Sequence, residues 1–531
     1  MKRRIISMLC VLAASLAAST AVADDRPNVV IVLMDDMGFS DFASYGGEVE
    51  TPVLDRLAEN GLRFRQFYQG ARCCPTRAQL LTGVYAHQAG VGRMADRRPE
   101  PEYQGFLRQD VPTIAERLKD AGYFTAHTGK WHVGARDGER PDQRGFDRVF
   151  GSPVGGIYYY AGAPIWEDGK IIYARGAKLP DGFLGTDAWA DYGIKYAREA
   201  LAADQPFFLY LANVAPHFPI QASDELIAKY AGRFDAGWDA MRAERLERQK
   251  EMGLFDSSVE LTEWPRDVPK WETLSDQQRE RLTHLMAVYA ASIEAADTAL
   301  GRIVQALDDE GELDNTLILV LSDNGGNAES GWQGNADPKM YEGGMNNPLV
   351  GRIGGPGIWP GSGWATLQNT PLRNYKHDTD EGGIRTPLIA HWPAGIPDDL
   401  KGQWTDAVGH LIDLAPTAVD LAGGDPTKGG TMEGISLVPA LQGKSLERAE
   451  PIFWEHEGNA AVRDGKWKLV RLQGQGWRLY DIKADPTELR NLAFDEPDRV
   501  EAMAAEWQAW ADRVGVIDFQ EFWEAKSQKQ P

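Results

Sequence analysis

The residues best suited to nucleophilic chemistry lie in one short stretch, residues 73–83, with the sequence CCPTRAQLLTG. Its positions follow the pattern Cys-x-Pro-x-Arg-x-x-Leu-x-Thr-Gly. Pro75 predicts the first turn of a helix, because a proline there loses no hydrogen bond. Cys73 would then lie at the helix N-terminus, where unpaired N–H groups and the helix dipole favour negative charge. Arg77 returns to the same face one turn later, so a nucleophile at Cys73 would face an anionic substrate.

Two adjacent cysteines also allow plainer interpretations. A buried thiol pair would explain Cys73 and Cys74, and so would a bridge between them, although bridges between neighbours are strained and rare. A thiol redox site is disfavoured, because the Cys-x-x-Cys spacing of that chemistry is absent. The third cysteine, Cys10, falls in a segment that we expect to be removed, so no disulfide framework remains.

Carboxylates follow two predicted strands. Asn28–Met34 is a nearly continuous apolar run, typical of a parallel strand buried on both faces, and Asp35-Asp36-Met37-Gly38 follows it. Thr316–Leu321 is a second such run, followed by Ser322-Asp323-Asn324-Gly325-Gly326. Because α/β folds place ligands at the carboxyl ends of strands, these oxygen-bearing groups suit calcium or magnesium. No cluster of Cys or His at zinc spacing competes, and a solvated loop is the plainer alternative for the adjacent aspartates.

Basic and imidazole side chains follow two further strands. The predicted strand Tyr123–His127 runs into Thr-Gly-Lys130-Trp-His132-Val-Gly, a candidate site for anion binding and proton transfer. The strand Pro206–Leu211 is followed by Ala-Pro-His217-Phe-Pro, whose prolines would fix the backbone around a proton donor. The sequence leaves open the alternative that either histidine is structural.

A third basic position follows a loop-rich stretch. Residues 325–370 are rich in Gly, Asn, Trp and Pro, which predicts loops, and long ordered loops tend to line sites. The segment Pro-Leu-Arg-Asn-Tyr-Lys376-His377 comes next, followed by Glu-Gly-Gly-Ile-Arg-Thr-Pro over residues 381–387. We interpret His377 as a residue of the loop.

These positions require a fold that brings strand ends together. Strands alternate with amphipathic helix patterns, which predicts an α/β fold with a mixed, mostly parallel sheet flanked by helices. From about residue 450 the pattern changes to short alternating strands and a closing helix. We expect a catalytic domain over residues 24–445 and a C-terminal subdomain over residues 446–531. The predicted helices include Thr51–Asn60, Val111–Ala121, Ser275–Val304 and Glu496–Val514, and the predicted C-terminal strands include Lys466–Leu472 and Trp477–Tyr480.

Taken together, the motifs resemble those of one enzyme family. Residues 73–83 are similar to the signature of the type I, formylglycine-dependent sulfatases, in which the first cysteine is oxidised to Cα-formylglycine (3-oxoalanine). The motifs Asp-Asp-x-Gly, Ser-Asp-Asn-Gly, Gly-Lys-Trp-His-x-Gly, Pro-His-x-Pro and Glu-Gly-Gly-x-Arg-x-Pro resemble further segments of that family. The chain looks most similar to the bacterial arylsulfatases. The resemblance implies an alkaline-phosphatase-like sandwich with a large sheet, and a C-terminal subdomain with a four-stranded antiparallel sheet and a helix.

The resemblance also implies a mechanism. A hydrated formylglycine at Cys73 carries two hydroxyls on one carbon: one attacks sulfur to give a sulfo-enzyme intermediate, and the other expels sulfate as the carbonyl reforms. One Ca²⁺, with Mg²⁺ as the alternative, would be bound at Asp35, Asp36, Cys73, Asp323 and Asn324. The resemblance implies that Arg77 stabilises the nucleophile and that Asp323 activates it. Lys130 and Lys376 would bind the sulfate oxygens. His217 would contact the substrate as general acid, and His132 would act as base in the second step.

Composition and the N-terminus indicate compartment and partners. The 531 residues carry a net charge of −22, which disfavours nucleic acid as a partner. Residues 1–23 have the charged, apolar and Ala-x-Ala parts of a secretory signal, so we expect cleavage after Ala23, no membrane anchor, and a periplasmic or secreted enzyme. The expected partners are a small-molecule sulfate ester and, transiently, a formylglycine-generating maturation enzyme. The sequence leaves the oligomeric state open.

The expected activity is hydrolysis of sulfate monoesters, aryl sulfates in particular, to a phenol or alcohol and inorganic sulfate. Aromatic residues around Trp332, Tyr341 and Trp364 favour a flat, apolar leaving group. A phosphonate or phosphate ester hydrolase on the same scaffold is the alternative, since the same cations suit a tetrahedral phosphoryl centre. A non-catalytic, calcium-stabilised anion-binding protein with an unconverted Cys73 is a second alternative.

Overall fold

The computed structural model of the chain describes residues 25–156, 159, 163–339, 341–424 and 430–520. The predicted signal segment, residues 1–23, lies outside the described residues, as does the end of the predicted C-terminal subdomain beyond residue 520. The strands are β1 (Asn28–Met34), β2 (Leu62–Tyr68), β3 (Phe124–Lys130), β4 (Arg148–Ser152), β5 (Ile165–Glu167), β6 (Lys170–Tyr173), β7 (Phe207–Ala212), β8 (Thr316–Ser322), β9 (Asn335–Ala336), β10 (Ile358–Trp359), β11 (Arg385–His391), β12 (Trp404–His410), β13 (Ile452–His456), β14 (Asn459–Asp464), β15 (Trp467–Arg471) and β16 (Arg478–Asp481).

Helices connect most of these strands. The α-helices are α1 (Pro52–Glu59), α2 (Cys73–Thr82), α3 (Ile114–Asp120), α4 (Gly185–Leu201), α5 (Asp224–Lys229), α6 (Trp238–Glu251), α7 (Asp276–Asp309), α8 (Ser362–Gln368), α9 (Glu381–Ile384), α10 (Leu414–Leu421), α11 (Val438–Leu441) and α12 (Pro497–Val514). Short 3-10 turns lie at Ala43–Tyr45, Pro101–Tyr103, Pro141–Gln143, Trp271–Thr273, Gly344–Asn346, Asp398–Leu400 and Leu411–Asp413. Among the helices of the described ranges, none is both long and apolar enough to cross a membrane.

One large mixed sheet has the strand order β12-β2-β11-β8-β1-β7-β3-β4-β5-β6. Its central strands, β8-β1-β7-β3-β4, run parallel, whereas β11 is antiparallel to both β8 and β2. The predicted α/β fold with a mixed, mostly parallel sheet is therefore confirmed. One predicted strand was too short: β3 continues from His127 to Lys130, because residues 128–130 pair with β4.

Helices cover both faces of this sheet and make an alkaline-phosphatase-like sandwich. All seven residues of β1 are buried, and alternate side chains point to opposite faces. Val30 and Val32 belong to the core that the long helix α7 shares with α1 and α4. Val29 and Ile31 belong to the core on the other face, with α2, α3 and α10. A strand buried on both sides must be apolar throughout, which is why periodicity could identify it.

A buried carboxylate joins two helices on the first face. Asp297 of α7 accepts hydrogen bonds from the N–H groups of Val53 (3.1 Å) and Leu54 (2.8 Å), at the start of α1. The first turn of a helix leaves these groups unpaired. Burial raises the pKa of Asp297 to about 6, against an ordinary value of 3.8, although the hydrogen bonds favour the ionised form.

We expect the stability contributed by Asp297 to fall as the pH rises from about 4 to about 6. A carboxyl whose pKa is raised on folding holds its proton more tightly in the folded state, so its contribution is complete below the unfolded pKa and lost above the folded one. The variant Asp297→Asn keeps an acceptor oxygen but does not titrate. Its free energy of unfolding relative to the wild type should therefore rise across this range by on the order of 3 kcal/mol.

Urea unfolding of both proteins at pH values from about 4 to about 7 measures this difference. A difference that stays constant across the pH series would contradict the prediction.

The C-terminal part of the chain forms a separate sheet. Strands β13-β14-β15-β16 are antiparallel neighbours, which confirms the predicted four-stranded antiparallel sheet. One face packs on α12 through Trp507 and Trp510. The other face contacts the large sheet, where Trp454 packs against Tyr68 of β2 with ring centroids 5.4 Å apart. The domain boundary near residue 445 stays a prediction.

Candidate active site

Four neighbouring strands of the large sheet end at the same edge. They are β8, β1, β7 and β3 in spatial order, and their carboxyl ends meet because they run parallel. The predicted site residues gathered here are all at most 4% exposed. They are Asp35 and Asp36 after β1, Asp323 and Asn324 after β8, Lys130 at the end of β3, His217 after β7, Cys73 and Arg77 on α2, and Lys376 from the loop before α9.

Helix α2 begins as the sequence predicts. Cys73 is its first residue and Pro75 lies in its first turn. The hydroxyl of Thr76 accepts a hydrogen bond from the N–H of Gly70 (2.9 Å) and donates one to the carbonyl of Asp323 (2.7 Å). The first bond joins the start of the helix to the loop after β2, and the second joins it to the end of β8.

Arg77 and Lys130 neutralise the inner carboxylates. The Arg77 guanidinium lies 3.0 Å from Asp323 and 3.5 Å from Asp35, and it donates to the carbonyl of Lys130 at 3.0 Å. The Lys130 Nζ lies 2.6 Å from Asp35 Oδ2. All four side chains are fully buried, and removing one partner of a buried ion pair typically costs about 3–5 kcal/mol. The cluster is therefore stable only as a set.

Asp36 is surrounded by four polar side chains. Lys376 Nζ lies 2.6 Å from Asp36 Oδ1, and the amides of Asn324 and Asn327 each donate to Asp36 at 2.8 Å. His217 Nε2 lies 3.5 Å from Asp36 Oδ2. Burial opposes ionisation, but His217 and Lys376 hold the pKa of Asp36 well below its usual range. Asp36 is thus ionised and holds both a lysine and a histidine in place.

The surroundings of Cys73 favour its ionised form. A hydrogen bond from Cys74, together with Lys130 and His132, holds the pKa of Cys73 well below that of an ordinary thiol although burial opposes this. Burial raises the pKa of Cys74, which stays protonated and donates. Both cysteines are free, so the alternative of a bridge between them is wrong for this structure.

His132 and His217 are uncharged at neutral pH. Burial lowers the pKa of each to about 4. The Nδ1 of His217 donates to the carbonyl of Phe218, which leaves Nε2 facing the carboxylates. The Phe218 ring stacks on His217 with centroids 4.3 Å apart and on Trp359 at 4.9 Å. His132 Nδ1 is buried without a hydrogen-bond partner in the described part of the chain. Either ring can accept or donate a proton once a substrate supplies a partner.

The donors around Asp35 fit a hard divalent cation. Burial raises the pKa of Asp35, and burial with repulsion from Asp35 raises that of Asp323 well above its usual range. Asp35 Oδ1 and Asn324 Oδ1 are buried without a hydrogen-bond partner among the described residues. Asp35, Asp36 and His217 offer ligand atoms within 4.8 Å of one another. Crowded carboxylates with unpaired oxygens are the environment that calcium and magnesium prefer.

The structure adds residues that the sequence analysis missed. Glu329 lies 3.5 Å from Lys376 and 2.9 Å from Arg72, and Tyr210 accepts a hydrogen bond from Arg77 at 3.4 Å. Tyr210 lies within β7, where strand periodicity assigns it to the core. Glu329 and Asn327 lie in a loop without regular spacing, so no local signal distinguishes them from solvated loop residues.

The aromatic residues proposed from the sequence to contact a leaving group occupy different places. Trp364 is fully buried, donates its indole N–H to the carbonyl of Leu282 at 2.8 Å, and packs 5.4 Å from Trp238. Trp332 also packs on Trp238, at 6.5 Å. Trp364 therefore gives no support to a flat leaving group, because that ring is part of the core. Among the described residues, the Phe218–Trp359 stack provides a half-buried aromatic surface beside His217.

Comparison with known proteins identifies related chains along nearly the full length. Residues 27–424 match the family described as Sulfatase, and residues 376–509 match the family described as N-sulphoglucosamine sulphohydrolase, C-terminal. The chain is 32% identical to an uncharacterized sulfatase of Schizosaccharomyces pombe, over 93% of this chain and 94% of that one. It is 36% identical to the arylsulfatase of Klebsiella aerogenes, over 81% and 93%. Human N-acetylgalactosamine-6-sulfatase is 29% identical, over 81% and 69%.

Solved structures resemble the chain over a similar extent. The structure of Ps i-CgsB in complex with k-i-k-neocarrahexaose has a TM-score of 0.67 and 26% identity, and covers 92% of this chain and 93% of its own. The structure of BT4656 in complex with its substrate D-glucosamine-2-N,6-O-disulfate has a TM-score of 0.63 and 22% identity, over 92% and 98%. The second likeness concerns the fold alone.

Proposed function

The chain belongs to the sulfatase family and is a sulfuric ester hydrolase, and from this premise we propose that it cleaves aryl sulfates to a phenol and inorganic sulfate. The observation that supports this most directly is the position of Cys73. It is the first residue of α2 and lies within one buried cluster with Lys130 and His132. The half-buried Phe218–Trp359 stack beside His217 suits a flat leaving group, as does the 36% identity to an arylsulfatase.

The chain's own residues divide the work of binding and proton transfer. Lys130 and Lys376 bind the sulfate oxygens, where negative charge builds in the transition state. Arg77 and the carboxylates that it contacts, Asp35 and Asp323, hold the nucleophile end of the site rigid. We assign to Asp323 the role of accepting the proton of the nucleophile. His217, in the form protonated on both ring nitrogens, delivers the Nε2 proton to the leaving oxygen, and His132 moves the proton in the second half-reaction.

Two groups that the family implies complete this proposal. Oxidation of Cys73 to formylglycine would supply a hydrated aldehyde with two hydroxyls on one carbon as the nucleophile. Asp35, Asp36, Asp323 and Asn324, with position 73, would hold one Ca²⁺ or Mg²⁺, which would supply positive charge to acidify the nucleophile and polarise the ester.

A substrate panel tests the proposed function. The protein exported from a host that makes formylglycine is assayed with 4-nitrophenyl sulfate, 4-nitrophenyl phosphate and a sugar 6-sulfate, and its tryptic peptide Cys73–Arg77 is weighed by mass spectrometry. We expect the peptide to carry an aldehyde and kcat/KM to be highest on the aryl sulfate. A faster reaction with the phosphate ester would overturn the sulfatase assignment in favour of the phosphohydrolase alternative, and a faster reaction with the sugar sulfate would overturn the aryl specificity.

The roles of the two histidines predict different dependences on the leaving group. For His217→Ala we expect a loss in kcat/KM of about 10²–10⁴-fold on an alkyl sulfate, whose leaving oxygen needs a proton, and a much smaller loss on 4-nitrophenyl sulfate. Because burial lowers the pKa of His217 to about 4, its protonated fraction falls above that pH. Wild-type kcat/KM on the alkyl ester should therefore decline with rising pH more steeply than on the aryl ester.

His132→Ala is the matched control for this experiment. A base of the second half-reaction acts after the alcohol has left, so its loss should lower kcat equally for both esters. If His132→Ala shows the stronger dependence on the leaving group, the two assignments must be exchanged.

Export and maturation are parts of the same proposal. We propose that residues 1–23 direct the chain out of the cytoplasm and are cleaved after Ala23, and that a formylglycine-generating enzyme acts transiently on residues 73–77. N-terminal sequencing of the exported protein, with Asp24 expected first, tests the cleavage.

A further inference from the structure

A group of unassigned ligand-type side chains lies beside the loop that carries Lys376. His377 follows Lys376 in that loop, and His456 and Glu457 stand at the end of β13 in the C-terminal sheet. One ligand atom from each of these three residues lies within 4.8 Å of the others. None of the three belongs to the site described above, and their chemistry is that of two imidazoles and one carboxylate.

His456 has two buried ring nitrogens without a hydrogen-bond partner among the described residues. Its side chain is fully buried. A neutral imidazole has one donor and one acceptor, and leaving either of them buried and unpaired is destabilising. Its ring centroid lies 5.6 Å from that of His377, so the unpaired nitrogens and the second imidazole share one small space.

His377 is oriented as a metal-binding histidine is. Its Nε2 lies 3.1 Å from Glu329 Oε1, while its Nδ1 lies 3.8 Å from Glu457 Oε2. Histidine ligands of metals almost always donate their second N–H to a carboxylate or a carbonyl. Glu329 fills that outer place and leaves Nδ1 free to face Glu457 and His456.

The backbone holds His377 in this orientation. Its residue has a left-handed conformation, with φ of 84°. Its N–H donates to the carbonyl of Ala71 at 3.0 Å, and its carbonyl accepts from the Asn459 amide at 3.0 Å. A non-glycine residue with positive φ carries local strain, which is a feature found often at ligand sites.

The nearby guanidinium groups are paired with the same carboxylates. Arg72 contacts Glu329 Oε1 at 2.9 Å, and Arg93 contacts Glu457 Oε1 at 2.7 Å. Glu457 Oε2 is the oxygen on the side of His377. These ion pairs therefore orient the two carboxylates.

We propose that His377, His456 and Glu457 form a second metal site, which binds Zn²⁺ and joins the C-terminal sheet to the Lys376 loop. Two nitrogen ligands and one carboxylate are typical of zinc, whereas calcium and magnesium prefer oxygen ligands. Tetrahedral zinc with bonds near 2.1 Å separates its ligands by about 3.4 Å. His377 and Glu457 are part-exposed, at 28% and 21%, so these side chains can close around the ion.

Metal binding at His377 would affect the position of Lys376 in the active site, because Glu329 contacts both residues. That carboxylate contacts His377 through Oε1 and lies 3.5 Å from Lys376 Nζ through Oε2. A bound ion would fix His377 and with it the position of Glu329. Lys376, which contacts Asp36 at 2.6 Å, would then be held by one rigid network instead of a loop alone.

Direct zinc binding tests the proposal without reference to turnover. The thiols of the active site would also bind zinc, so the full chain is used with Cys73→Ser and Cys74→Ser combined, in excess Ca²⁺ to fill the oxygen-rich centre. With Zn²⁺ as the added transition metal, titration calorimetry and elemental analysis should find one zinc ion per chain. Thermal unfolding should show a higher Tm with zinc than without it. Co²⁺ in place of Zn²⁺ should give the visible absorption of a four- or five-coordinate ion.

Variants locate the ion. In that background His377→Ala, a change at a part-exposed position, should weaken zinc binding by more than about 100-fold, and Glu329→Gln by about 10–100-fold. His284→Ala is the matched control, since His284 is a half-buried histidine bonded to the Val350 carbonyl elsewhere, and it should bind zinc as the parent does. Absence of a bound ion, or binding that His377→Ala leaves unchanged, would overturn the proposal whether or not the protein is a sulfatase.

Discussion

Cys73→Ala is expected to lower kcat/KM on sulfate esters by at least about 10⁴-fold, the range seen when a catalytic nucleophile is removed. The alanine cannot be oxidised to formylglycine, so the first position of α2 then carries no nucleophile. The lysines, the arginine and the carboxylates would still bind the sulfate, so KM should change far less than kcat. Stopped assays with 4-nitrophenyl sulfate at several substrate concentrations separate the two constants.

Cys74→Ala is a closely matched control for this prediction. The two cysteines are adjacent, both are free, and both are buried. Cys74 donates to Cys73 in the thiol form, a contact that has no equivalent once the sulfur of residue 73 is replaced. We therefore expect Cys74→Ala to keep most of the activity of the converted enzyme. Equal losses in the two variants would contradict the assignment of Cys73 as the nucleophile.

Removal of the divalent cation is the second large effect that we expect. A metal ion that stabilises transition-state charge contributes several kcal/mol, which corresponds to a loss of about 10³-fold in rate. The physical basis is a pair of oxygens, Asp35 Oδ1 and Asn324 Oδ1, that have no hydrogen-bond partner in the described part of the chain, in a cluster where burial raises the pKa of Asp35. Without a cation Asp35 and Asp323 repel one another, so the Tm should fall together with the rate.

Dialysis against a chelator, followed by addition of Ca²⁺ or Mg²⁺ alone, measures both quantities. We expect one of the two ions to restore rate and Tm in parallel, and Asp36→Asn to weaken that restoration. Asp399→Asn, the same chemical change at an exposed position, should behave as the wild type. An unchanged Tm and rate after exhaustive chelation would show that the carboxylate cluster is satisfied by Lys130, Lys376 and Arg77 alone.

Much of the catalytic half of the structure was predictable because its signals are local. Buried parallel strands are apolar throughout, so β1 and β8 were identified within one residue of their observed ends. The order of strands along the sheet was not predictable, yet the chemistry did not depend on it, because parallel strands all present their carboxyl ends at one edge. The helix start at Cys73 followed from Pro75 and the residues around it.

Contacts between distant loops were beyond the reach of sequence patterns. The aromatic loop around Trp364 was interpreted as favouring a flat leaving group, but Trp364 is buried in α8 against Trp238. Glu329 was missed because a single glutamate in a loop forms no sequence pattern that distinguishes it from a solvated loop residue. Neither error concerns local propensity; each depends on which remote segment packs against the loop.

The sequence by itself determined the chemistry of this protein: the residue types after each strand, their spacing, and the helix that presents Cys73. These are properties of short segments, and the regular geometry of helices and strands determines where their side chains lie. Only the tertiary structure decided which charges neutralise one another, because pairs such as Arg77 with Asp323 and His377 with Glu457 join residues far apart in the chain. Burial raises the pKa of Asp323 and makes its pairing with Arg77 rigid, and burial is a property of the whole fold.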